Sequence, residues 1–203
     1  MKVTSIKQQV KRIDRYSIFV DERYAFSLSE SALLRSGLAS GQELTPQQLD
    51  EYKQLSTDDK LYMRAMQYAA LRPHSEWELR SYLQRKEAGE AFIDQTVERL
   101  TDVGLLNDAA FADSFVRNRQ LLKPTSKRKL QLELKRKRVS EEHIAAALES
   151  NELDEGDNLQ QVIAKKQRQT KYQDPIKLMQ YLARQGFSYG DIKSALSKSE
   201  AFY

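Results

Sequence analysis

The stretch SEWELRSYLQRKEAGEAFIDQTV, Ser75 to Val97, decides the fold, because its apolar spacing returns twice further along the chain. Counted from Ser75, apolar residues stand at offsets 4, 8, 18 and 22: Leu79, Leu83, Ile93 and Val97. SKRKLQLELKRKRVSEEHIAAAL, from Ser126, puts Leu130, Leu134, Ile144 and Leu148 at the same offsets. DPIKLMQYLARQGFSYGDIKSAL, from Asp174, does so with Leu178, Leu182, Ile192 and Leu196. Apolar pairs four apart give each helix one buried stripe. A period of about fifty residues then means an array of small helical units.

Helix-start signals fall at matching places in each copy. Ser75 is followed three residues later by Glu78, the arrangement of a capping box. Asp174 precedes Pro175, whose fixed φ suits the first helical position, and Pro124, Thr125 and Ser126 open the second copy. Ser140 and Ser188 stand where the next helices begin. A preceding helix completes each unit, over residues 58–71, 108–122 and 157–170. Three three-helix units of about 45 residues follow, none able to bury much surface alone. The fold expected is mainly α, with tandem three-helix repeats in an elongated array.

The first sixty residues differ in kind. Tyr16, Ile18 and Val20 alternate with more polar neighbours up to Asp21-Glu22, and Tyr24, Phe26 and Leu28 resume the alternation. This reads as a β-hairpin or three-stranded meander. A short helix from Ser29 to Arg35 follows, with Gly37 as its left-handed cap. Thr45-Pro46 opens another, which runs with a break near Ser56 into the first repeat. The organisation is an N-terminal segment over 1–57, then repeats over 58–106, 107–152 and 153–203, the middle one basic.

Composition excludes several classes of chemistry. Without cysteine there is no disulfide, thiolate nucleophile or Cys-ligated zinc. The only imidazoles are His74, at a helix start, and His143, on a face that reads as exposed; both suit surface or cap contacts better than metal binding. No glycine-rich phosphate loop, nucleophile elbow or metal-spaced acidic pair occurs, so no catalytic residue, cofactor or metal is expected. There is no long apolar run and no signal-peptide pattern at Met1, which points to a cytoplasmic protein without a membrane segment. No heptad seam is long enough to drive pairing, so a monomer is expected.

Binding must then carry the function, and charge indicates where. Net charge is only +4, but residues 117–138 hold ten basic side chains against one acid, Glu133. Candidates for partner or phosphate contact are Arg117, Arg119, Lys123, Lys127, Arg128, Lys135, Arg136 and Arg138, with Lys129 and Lys137 in the same run and Lys165 and Lys166 in the third repeat. Projected on a helix from Ser126, Lys127, Arg128, Lys135 and Arg138 cluster on one flank, within an arc of about 100°. No aromatic residue lies between Arg117 and Arg138, so base stacking is not supported there. Tyr172 and Tyr181 read as packing residues. Leu132 projects away from the buried stripe, and Trp77 lies in a first helical turn; each suits packing or partner contact.

RPHSEWELRSYL (Arg72 to Leu83), GLLNDAAFADSFV (Gly104 to Val116) and KPTSKRKLQLELKRKRVSEEHI (Lys123 to Ile144) together resemble the RecX family of bacterial recombination regulators. The likeness covers residues 60–200, and rests on Ser75, Glu78, Leu79 and Leu83, on Gly104, Asn107, Asp108, Phe111, Ala112 and Phe115, and on the basic second repeat. It implies a curved array that binds RecA and its DNA filament, limits strand exchange, contacts DNA weakly and is not an enzyme. The alternative is a general DNA-binding protein of tandem helical repeats.

Overall fold

Described over residues 1–151 and 153–200 in a computed structural model, the chain forms a three-stranded sheet followed by ten α-helices among those residues. The expected repeat ends at 152 and 203 lie outside the described residues.

Strands β1 (Val3–Gln8), β2 (Arg15–Val20) and β3 (Arg23–Ser29) form an antiparallel sheet in chain order, the meander of the two alternatives. Asp21 and Glu22 both take positive φ, 47° and 67°, as a two-residue hairpin turn requires. Helix α1 (Glu30–Ser36) starts on Ser29, whose side chain accepts the Ala32 N–H, and ends at Gly37 with φ 63°. Helix α2 (Pro46–Leu71) then runs unbroken for 26 residues, so the expected break near Ser56 does not occur. The hydroxyls that look like a cap are used elsewhere: Ser56 Oγ donates to the Ser27 carbonyl at 2.7 Å and Thr57 Oγ1 to Lys53 at 3.1 Å.

Two compact units result. The first comprises residues 1–71 and 82–100. Its core gathers Val3, Ile18, Val20, Phe26, Leu28, Ala32, Leu38 and Leu44, with Leu49, Tyr52 and Leu55 of α2 packed on it. Beneath the sheet, Arg15 and Asp59 form a buried ion pair at 2.9 Å, and Asp59 also accepts the backbone N–H and hydroxyl of Ser29. Helix α3 (Glu76–Gln84) contributes its last turn and α4 (Glu90–Asp102) most of its length. Tyr82 stacks on Tyr68 at 4.3 Å, and the Arg99 guanidinium lies 3.9 Å from the Tyr62 ring centre.

The second unit comprises residues 72–81 and everything described from 101 onward. Helices α5 (Asp108–Leu122), α6 (Lys127–Arg136) and α7 (Glu141–Ser150) enclose Phe111, Val116, Leu130, Leu134, Val139 and Ile144. Helices α8 (Glu155–Gln167), α9 (Pro175–Arg184) and α10 (Tyr189–Glu200) enclose Leu159, Ile163, Leu178, Leu182, Phe187 and Ile192. Helix α8 stops three residues before the expected 170, and a short 3-10 turn, Thr170–Tyr172, follows. Across all three repeats the residues at offsets 4, 8, 18 and 22 are buried, except Leu148 and Leu196, which are partly so. The repeat spacing is thus a packing code.

A candidate partner-binding interface on the second repeat

Helix α6 is fixed at its start by the turn after α9. Ser126 Oγ accepts the Lys129 N–H at 3.1 Å and donates to the Gln185 carbonyl at 2.9 Å, which Thr125 Oγ1 also reaches at 3.1 Å. Gly186 follows with φ 89°, and a Cβ there would lie 2.3 Å from Ser126 Oγ. Only glycine permits so close an approach. Lys129 Nζ completes the joint by donating to Gln185 Oε1 at 2.7 Å.

The end of α6 decides which cations share a face. Val139 is buried, and its N–H returns to the Leu134 carbonyl while Arg138 takes φ 56°. That is a Schellman-type stop with arginine at the left-handed position. The helical projection that put Lys127, Arg128, Lys135 and Arg138 on one flank therefore does not extend to Arg138, which has left the helix, and Lys135 pairs with Glu141 at 2.7 Å. Instead Arg128, Leu132 and Arg136 follow one another at four-residue steps along the outer side of α6, with Leu132 53% exposed. They line a cleft of about 450 Å³ with Lys129, Glu133, Arg184, Gly186 and Phe187. Arg136 also borders a neighbouring cleft lined by Arg72, Phe111, Phe115 and Arg119.

Several of the ten basic residues are occupied inside the unit. Arg117 pairs with Asp113, Arg119 with Glu133 at 2.7 Å, and Lys137 with Glu78 at 2.6 Å. Among the described residues, no ion pair engages Lys123, Lys127, Arg128, Arg136 or Arg138. Burial first, and then the charges of Lys123, Arg119 and Arg136 against the opposing pull of Glu133, hold the Lys129 ammonium below its ordinary pKa. In the third repeat Lys165 is exposed, whereas Lys166 Nζ lies 4.6 Å from the Tyr181 ring centre and 5.1 Å from that of Tyr172. Both tyrosines pack on the α8–α10 core, as their expected packing role requires.

Other expected residues take different places. Glu78 receives half of the capping box: Ser75 Oγ accepts its N–H at 3.2 Å, but its carboxylate turns to Lys137 and to Arg72, the latter at 3.0 Å. Burial alone would raise the pKa of Glu78; the hydrogen bonds and charges of Lys137 and Arg72 outweigh it and hold the group below the ordinary range. Trp77 is half-buried, with Lys137 Nζ 5.3 Å from its ring centre. His74 is buried, its Nδ1 2.7 Å from the Arg72 carbonyl, and burial together with the Arg72 charge lowers its pKa. His143 is not exposed: it is half-buried, and its shielded Nδ1 has no hydrogen-bond partner among the described residues. Arg184 was missed by sequence reasoning, because only the turn at Gly186 brings the end of α9 beside α6. Among the described residues, no three His, Asp or Glu side chains are placed to hold a metal, and no helix is long and apolar enough to cross a membrane.

Tandem three-helix units behind a three-stranded sheet define the chain as a helical-repeat protein. Residues 1–45 match the model described as Regulatory protein RecX N-terminal domain, 62–100 the RecX first three-helix domain and 107–148 the RecX second three-helix domain. The chain belongs to the RecX family. It is 36% identical over 151 residues to Regulatory protein RecX of Listeria welshimeri, an alignment covering 73% of this chain and 55% of that protein. With Regulatory protein RecX of Halalkalibacterium halodurans the identity is 33% over 150 residues, covering 72% and 56%. The chain thus spans just over half the length of these relatives. A crystal structure of regulatory protein RecX superposes with a TM-score of 0.75 at 25% identity, covering 97% of this chain and 98% of the other. A crystal structure of RecX from Lactobacillus salivarius shares the fold, with a TM-score of 0.57 at 22% identity over 71% of this chain and 97% of the other.

Proposed function

We propose that this chain is a non-catalytic regulator that binds RecA and its DNA filament in the cytoplasm and inhibits recombinase activity, with Arg128, Leu132 and Arg136 at the contact. The observation that carries this reading is an exposed leucine between two arginines that no ion pair engages among the described residues, on a helix held at both ends. An apolar anchor inside a cationic rim suits an acidic protein groove, because burial of the leucine supplies affinity and the charges supply steering. Naked DNA alone would make less use of Leu132. Lys123, Lys127 and Lys165 extend the field around this centre, and Arg117, Arg119, Lys135 and Lys166 support it from within the unit. The expected Arg138 is left as a structural residue of the α6 stop.

The test uses preformed RecA filaments on single-stranded DNA, with ATP hydrolysis followed as protein is added. The wild-type chain should suppress hydrolysis, and R128E/R136E should need at least tenfold more protein for the same effect. Leu132→Asp should weaken the effect as well. Unchanged inhibition by a folded R128E/R136E variant would overturn the assignment. Tight binding to naked DNA with no effect on RecA would favour a general DNA-binding protein.

A further inference from the structure

The first unit carries a second cationic cleft, far in sequence from α6. Its lining is mostly polar: Arg12 and Asp14 from the β1–β2 connection, buried Arg15 from β2, and Lys60, Met63, Arg64 and Gln67 from one face of α2. Arg15 is committed to Asp59 and to the Ser27 carbonyl at 2.9 Å. Among the described residues no ion pair engages Arg12, Lys60 or Arg64, so their three charges exceed the one of Asp14 by two. The cleft measures about 260 Å³.

The connection that brings Arg12 to the cleft is braced. Gln8 Nε2 donates to the Ile13 carbonyl at 2.5 Å, the Arg15 N–H to the Arg12 carbonyl at 2.9 Å, and the Glu30 N–H to the Asp14 carbonyl at 2.8 Å. A ligand therefore meets cations whose backbone is already ordered. At the same tip Val10 and Ile13 are 96% and 75% exposed and flank Lys11 and Arg12. Apolar side chains beside cations on a hairpin tip suit contact with bases next to a held phosphate.

We infer that this cleft binds a backbone phosphate of a nucleic-acid strand, with Arg12, Lys60 and Arg64 on the phosphate and Val10 and Ile13 against the adjacent nucleotide. A backbone phosphodiester, like a carboxylate, offers one charge on two oxygens that a guanidinium fork can hold, so it is the exposed Val10 and Ile13 beside these cations that favour a nucleotide over an acidic side chain. This goes beyond the RecA-binding reading and does not depend on it.

The chain lacks cysteine, so Gln67→Cys gives a single thiol at the rim for a fluorescent label. Titrated with a short single-stranded oligodeoxynucleotide, the labelled full chain should report binding. R12A/R64A should weaken that response about tenfold and reduce the slope of log affinity against log salt by about 0.7, the value for one single-strand phosphate contact. Lys60→Ala should act in the same direction by about half as much. Unchanged affinity and slope in folded R12A/R64A and K60A variants would overturn the inference, as would an equal response to polyglutamate. R12A/R64A retains Arg128 and Arg136, so its inhibition of RecA filaments reads the α6 proposal separately.

Discussion

Glu78 shows how one side chain leaves the role its spacing implies. Three residues after a serine it reads as a capping-box partner, yet its carboxylate joins Lys137, 59 residues away, and Arg72. Glu78→Gln should cost about 1–2 kcal/mol at neutral pH, a figure discounted because both cations are partly exposed. The folded pKa lies below the ordinary value, so this stabilisation is complete above the unfolded pKa and is lost as pH falls through the folded one. Urea denaturation of both proteins should therefore show the difference at pH 7 and a shrinking one in acid. Gly186→Ala should cost about 2 kcal/mol or more, because its Cβ would meet Ser126 Oγ at 2.3 Å with the backbone at φ 89°. A melting temperature equal to wild type would remove the claimed close approach.

At the scale of elements, the stop of α6 matters more than its composition. Arg138 at φ 56° pays the left-handed cost that glycine avoids. Arg138→Gly should raise stability by about 0.5–1 kcal/mol and leave filament inhibition intact, whereas a residue on the binding flank would lose activity when replaced. Thermal denaturation and the hydrolysis assay read the two effects independently. In the first unit, α2 is tied to the sheet through Arg15 and Asp59, with 5% and 4% side-chain exposure. Asp59→Ala leaves a buried guanidinium unpaired and should cost about 3–5 kcal/mol, measured by chemical denaturation. A loss below about 1 kcal/mol would mean that water reaches Arg15 more freely than its burial implies.

For the molecule as a whole, cations that no ion pair engages occur in both compact units, while net charge stays at +4. Long-range attraction between such patches and a polyanion weakens as salt shortens the screening length. Under the proposed function, association with RecA–DNA filaments should slow as salt rises, with a smaller change in the dissociation rate. Stopped-flow mixing at two salt concentrations measures both rates. Equal association rates would assign recognition to apolar contact alone.

The repeat and most of the core were readable from sequence, because burying one stripe per helix is a local demand that leaves a local spacing. The hairpin turn at Asp21-Glu22 and the Gly37 cap were readable for the same reason. Leu132 was visible as an apolar residue on the wrong face. Its partners Arg136 and Arg184 were not placed beside it: helical projection carried α6 past Arg136 to Arg138, and nothing in the order of residues put the end of α9 beside α6. Likewise the break expected near Ser56 did not form, and the Ser56 hydroxyl is bonded to the Ser27 carbonyl. The sequence by itself determined the family, the helical units and the presence of a basic segment. Only the tertiary structure decided which cations are spent on Glu78, Glu133 and Glu141 and which stay outward, because ion pairing depends on distances between residues far apart in the chain.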